Sequence, residues 1–418
     1  MKRLNGFEHT IFYAFLSSIV LFRIPNLYLF PYISNSLLTT QSFARTFIVI
    51  SFIYVVLVSL KKDIFVFRNE TKLLVWLIIA LFFLQSFSIL SAINMLSYLN
   101  RYKDIVVGLC SFFVFYYFRA NIRKILIAFI LPAIMNIIIE ISLLFFPNIF
   151  LSVSGPFFYQ NLLNLIVANL NRKRIYNLSF DEIIIPLLFL PQIVKYFKLK
   201  LLNIILFILI AFFAFASNIR SNLLMFFVSF GGTLLIFRKL ALKQVIVAII
   251  MMVIVAIGVN ILLKDLVGTS FYDRLTFQNQ LEDVETVTKR LDQAGDALQM
   301  AGATFFGVGL GNYYDNIEIQ KVIMVYSQSR RNEISYAQEY VHNIFGTIAV
   351  ESGYSSLILF VIILILFIRQ DISVIRSENI MKKVTVIAFW SIFSWGLFNP
   401  TTSGSFQFIF WGLRGLLL

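Results

Sequence analysis

Apolar residues in this chain stand in long unbroken runs, and polar residues collect in the gaps between them. Runs near 7–22, 43–60, 72–90, 104–118, 124–146, 182–197, 201–217, 221–237, 244–263, 343–367, 384–398 and 405–418 recur from end to end. A helix crosses a hydrocarbon core with about 17 to 25 apolar residues, and these runs lie in or near that range. A helix also satisfies its own backbone groups within a single run, which lipid demands. The pattern therefore predicts an all-α integral membrane protein with about twelve transmembrane helices and both termini on the same side.

One gap is far longer than the others. It divides the chain into a first transmembrane bundle over 1–263, a long loop over 264–341 and a second bundle over 342–418. Within the loop, Leu281, Val284, Val287, Leu291, Ala294 and Leu298 recur every three or four residues, the period of an amphipathic helix. Such a helix serves either as a lid on the membrane face or as a plain packing element of the bundle. The glycines of "GATFFGVGLG" at 302–311 end it and make a turn-rich connector.

Basic residues fix an orientation. With the N-terminus inside, the inner segments hold nineteen Lys and Arg and the short outer loops hold eight, a bias that fits the alternation of twelve spans. Both termini are then cytoplasmic and the long loop is outer, with seven basic residues against eleven acidic ones. Met1-Lys-Arg runs into the first span without a small-residue cleavage site and reads as an uncleaved signal-anchor.

Composition sharpens the class. Of 418 residues, 59% are hydrophobic and only 13% are charged, with a mean hydropathy of +0.86, against about 25% charged in soluble domains. The net charge of +14 is scattered in twos and threes between apolar runs, which is the pattern of membrane loops and not of a nucleic-acid surface. The single cysteine, Cys110, lies inside an apolar run and leaves no disulfide framework or thiolate metal site.

Against this background a few polar residues stand out. His342 opens "HNIFGTIAVESGY"; on a continuous helix it shares a face with Gly346, Ala349 and Gly353, which predicts a smooth groove below the imidazole. Such a histidine either accepts a proton from a hydroxyl or rests at the interface without a task. Arg220, in "SNIRSNL" at the outer start of a span, offers forked donors for phosphate oxygens or snorkels to headgroups. Arg172, Lys173 and Arg174 place three positive charges in an outer loop, against the usual bias, and invite an anionic ligand unless that loop lies inside. Glu140 sits in the outer half of its span, in a functional or a hydrogen-bonded structural role. Arg290, Arg330 and Arg331 lie in the long loop, where charge is ordinarily a solvated face. No Asp-x-Asp pair occurs in the short outer loops, which favours chemistry without a divalent metal, and nothing calls for a cofactor.

Three stretches together resemble the O-antigen polymerase and O-antigen ligase superfamily of bacterial envelope enzymes: "SNIRSNL" at 217–223, the arginine and glycine connector from Arg290 to Asn316, and "HNIFGTIAVESGYSSLILF" at 342–360. This sequence reads Ser-Asn-Ile-Arg where Ser-Arg is usual. The resemblance covers the chain from about 180 onward. It implies a GT-C-like glycosyltransferase of the inner membrane whose site faces the periplasm. The donor and acceptor it implies are undecaprenyl-pyrophosphate-linked oligosaccharides, with membrane lipid and a chain-length regulator protein as candidate partners. By motif position, Arg220 and Arg290 bind the donor pyrophosphate and His342 engages the acceptor hydroxyl or the phosphate. Arg172, Arg174, Arg330, Arg331, Asn343 and Glu351 are further candidates for glycan or pyrophosphate contact. Within the family the choice is a polymerase, favoured here, or a ligase that moves finished glycan onto lipid A-core. A lipid-linked oligosaccharide flippase is the reading from another class, but it calls for charges midway along several spans and internal repeats.

Overall fold

The computed structural model describes residues 6–28, 38–62, 69–158, 200–216, 220–236, 250, 254, 257–258, 293–295, 297–302, 305–313 and 341–418. Their regular elements are the helices α1 (Gly6–Arg23), α2 (Thr40–Lys62), α3 (Asn69–Phe87), α4 (Met95–Phe118), α5 (Ile122–Ala128), α6 (Ile130–Phe145), α7 (Pro147–Ser154), α8 (Lys200–Ala216), α9 (Arg220–Ile236), α10 (Ile344–Arg376), α11 (Ile380–Gly396) and α12 (Gly404–Leu417). Among the described residues there is no strand, only the isolated bridges Leu27–Phe158 and Tyr28–Thr39. Ten of the twelve predicted runs coincide with these helices. Run 182–197 lies outside the described residues, and run 244–263 almost wholly so.

Among the described residues, four stretches are long and apolar enough to cross a membrane: Thr40–Lys61, Thr71–Ser91, Met95–Leu143 and Ile344–Arg376. The third turns back on itself, and contacts with α1 show this. Tyr117 on α4 donates to Glu8 at the start of α1, whereas Asn136 on α6 donates to the carbonyl of Arg23 at its end. The reversal falls at the short 3-10 turn Arg119–Asn121, where Arg119 folds over the Tyr116 ring at 3.7 Å.

Among the described helices, α4 and α12 share the most extensive contact. Lipid offers no hydrophobic drive for two helices to associate, so close approach must come from small residues. Gly412 faces the Phe115 ring, and Gly415 sits against the backbone carbonyl of Phe112, leaving no room for a Cβ. Phe12, Phe15, Phe115, Phe118 and Phe408 fill the space between α1, α4 and α12, with Phe15 stacked on Phe118 and the other pairs tilted or edge to face. The predicted run at 104–118 starts too late: α4 begins at Met95, capped by Asn94, whose side chain accepts from Leu96 and Ser97. The added turns, about two and a half, carry Arg101 into the bundle beside Asp104 at the start of the predicted run.

Among the described residues, parts of several predicted outer segments meet at one end. Arg45 on α2 pairs with Asp104 on α4 at 3.0 Å, Arg101 reaches Glu351 on α10 and the Thr402 carbonyl before α12, and Asn343 reaches Leu397 after α11. The predicted inner ends meet at the other. There Arg414 on α12 makes two hydrogen bonds to Asp371 on α10, at 2.7 and 2.8 Å.

Candidate functional site

The site end is built around the start of α10. Asn343 is extended (φ −157°) and caps the helix, its Oδ1 accepting from Phe345 at 2.8 Å and Gly346 at 3.1 Å. The same amide donates from Nδ2 to the Leu397 carbonyl at 3.1 Å. Asn343, expected among substrate contacts, therefore directs both ends of its amide at the protein. His342 precedes this cap, half-buried, with Nδ1 3.3 Å from Gln293 Oε1.

Below the cap α10 is not continuous. Gly353 adopts φ 81° and ψ 171° and breaks the helix, in a region that essentially only glycine enters. The break releases the Val350 carbonyl from the helical ladder, and Val308 N–H of the connector takes it at 2.8 Å. A Cβ at Gly353 would strike the Phe305 carbonyl, and one at Gly307 would strike the Val350 carbonyl. Gly307, Gly309 and Gly311 all have positive φ, so the connector is a sequence of left-handed bends pressed into the broken helix. This corrects the expected groove. Gly346 packs against Val341 and Ala297, Ala349 is fully buried, and protein backbone fills the space beside Gly353.

Glu351, next to the break, is buried and reads two partners. Its Oε2 accepts from Arg101 Nε at 3.1 Å, and its Oε1 accepts from Gly311 N–H at 3.1 Å. Asn312 then pins the connector to the start of α4: its Oδ1 accepts from Asn94 N–H at 2.5 Å and its Nδ2 donates to the Asn94 carbonyl at 3.2 Å. Of the predicted amphipathic helix, the described part packs on the bundle. Ala297 joins Val308, Tyr313, Val341 and Val350 in a small core, and Tyr354 donates to the Leu298 carbonyl at 2.7 Å. Leu298 itself is exposed, so at this end of the helix the buried side differs from the predicted stripe.

Arg220 opens α9. Two residues on, Asn222 accepts from Trp395 Nε1 at 3.1 Å, so the first turns of α9 and α10 both hydrogen-bond to the Trp395–Leu397 corner. The side chain of Arg220 lies outside the described residues, as do Arg172, Arg174, Arg290, Arg330 and Arg331. Glu140 is fully buried in α6. Among the described residues no three His, Cys, Asp or Glu side chains come together as a metal site.

Residues 205–361 match a family model described as O-antigen ligase. That match places this stretch with the O-antigen polymerase and ligase superfamily. It spans α9, the connector, the cap and the broken part of α10, and supports an O-antigen polymerase or ligase in general. No curated protein matches the chain.

Sequence reasoning missed Arg101, Asn94, Asn312 and Trp395 as parts of this end. Arg101 was counted only as one of the outer charges, and its partner stands 250 positions away. It also missed the Asp371–Arg414 pair, although an arginine inside an apolar run is itself a signal.

Proposed function

We propose that the protein is a surface-polysaccharide polymerase. It transfers a growing undecaprenyl-pyrophosphate-linked glycan onto the next lipid-linked repeat unit at the periplasmic face of a bacterial inner membrane. One observation carries this reading: the first turn of α9, which begins at Arg220, and the Asn343 cap of α10, which directly follows His342, both hydrogen-bond to the Trp395–Leu397 corner. Two motifs 122 positions apart in sequence are thereby held at one end of the bundle.

In this reaction the acceptor hydroxyl oxygen bonds to the anomeric carbon of the donor. The bond from that carbon to the pyrophosphate oxygen breaks, and its electron pair leaves with the pyrophosphate. Arg220 and Arg290 stabilise that growing charge, because a guanidinium stays protonated and its fork matches phosphate oxygens. His342 takes the hydroxyl proton. A proton on Nδ1, donated to Gln293 Oε1, makes Nε2 the basic nitrogen. The lipid pyrophosphate brings its own leaving group, so no nucleotide is needed outside the cytoplasm. Arg172, Arg174, Arg330 and Arg331 are assigned to the glycan and its pyrophosphate. Asn343 and Glu351 serve by holding the frame.

The description of the matching family favours a second reading, a ligase that moves finished glycan to lipid A-core. A lipopolysaccharide gel of a strain lacking the protein separates the two. A core bearing a single repeat unit, restored to a ladder by the parent and not by Arg220→Ala or His342→Ala, is the result expected of the polymerase. Loss of every capped band, with polymer accumulating on the lipid carrier, makes it the ligase. Full restoration of the ladder by both variants overturns the site assignment.

A further inference from the structure

Arg101 belongs to the first half of the chain, outside the matched stretch, yet it is the cation at the centre of the site end. Its side chain is 6% exposed and that of Glu351 is 5%. One nitrogen of its fork donates to Glu351 and another to the Thr402 carbonyl. Glu351 in turn accepts from Gly311 of the connector. The loop between α11 and α12 is thus held at Thr402 by Arg101 and at Leu397 by Asn343, while the connector is held at Gly311 by Glu351 and at Asn312 by Asn94.

A buried ion pair is a poor way to add stability, since well-packed apolar side chains of similar volume commonly do as well. Apolar residues cannot, however, accept from Gly311 N–H or donate to the Thr402 carbonyl. The pair therefore does something that stability alone does not require. We propose that Arg101 is a positioning residue: through Glu351 and Thr402 it locks the connector and the α11–α12 loop against the break in α10. The proposal rests on the reading of this end as the site of glycan transfer.

Two variants test it in a Cys110→Ala background carrying Val308→Cys, a volume-conserving change in the buried part of the connector. Arg101→Met alone leaves Glu351 buried without its cation and lowers the amount of protein in the membrane. Arg101→Met with Glu351→Leu restores that amount. In the double variant the introduced thiol reacts with a membrane-impermeant maleimide about tenfold faster than in the parent, the shift expected when a buried hydrogen bond is lost, and glycan transfer is lost. A merely structural pair would give back transfer together with abundance. Should the double variant not accumulate, Arg101→Lys decides: it keeps the charge but replaces the separate Nε and Nη1 donors of the fork with one nitrogen, so faster labelling with reduced transfer upholds the latch. Labelling at the parental rate overturns the proposal, and so does parental transfer with an opened connector. If the unsubstituted protein proves to have no part in glycan transfer, the functional reading falls, and the labelling rates alone decide whether Arg101 latches the connector.

Discussion

At the scale of single residues, Gly353 shows how a correct observation led to the wrong structure. The spacing of His342, Gly346, Ala349 and Gly353 reads as one face of a helix only if the helix is continuous. The glycine is there because the helix stops: a released carbonyl and a positive φ are what the connector docks onto. Gly353→Ala is expected to cost about 1–3 kcal/mol for the backbone conformation alone, with the clash at the Phe305 carbonyl adding to it. A thermal melt of the purified protein checks this, and an unchanged melting temperature would mean the break is not rigid. The sequence puts Asn343 among the substrate contacts; neither its role as the cap of α10 nor its hydrogen bond to Leu397, which depends on a segment 54 residues away, is legible there.

At the scale of elements, the helices were the most legible part, because a span is set by local apolarity and length. Their ends were not. The run at 124–146 divides into α5 and α6 at Phe129, and α10 continues to Arg376 past the predicted end. Charge is the reason in the second case: Asp371 is hidden from lipid by Arg414, whose guanidinium lies 3.4 Å over the Phe389 ring and 4.0 Å over that of Phe367. Trp390 Nε1 completes the cluster with a bond to Asp371 Oδ2 at 2.8 Å. Arg414→Met should cost about 3–5 kcal/mol, since it leaves a buried carboxylate without its cation, whereas Arg414→Met with Asp371→Leu should recover most of that loss. Comparing the melting temperatures of the two variants checks the prediction. Equal losses in both would place the stabilising role in the ring contacts instead.

At the scale of the whole molecule, the described parts of several predicted outer segments gather at one end of the helix bundle. That gathering joins the first half, which supplies Arg45, Asn94, Arg101 and Asp104, to the matched stretch, which supplies Asn222, the connector and Glu351. We propose that this end transfers a lipid-linked glycan through Arg220, Arg290 and His342. The most direct measurement gives purified protein in lipid vesicles an undecaprenyl-pyrophosphate-linked repeat unit, with a chelator present, and follows the length of the lipid-linked product. The expected result is elongation with release of undecaprenyl pyrophosphate, slowed about 100-fold or more by Arg220→Ala or His342→Ala. Elongation at the parental rate by both variants would contradict it.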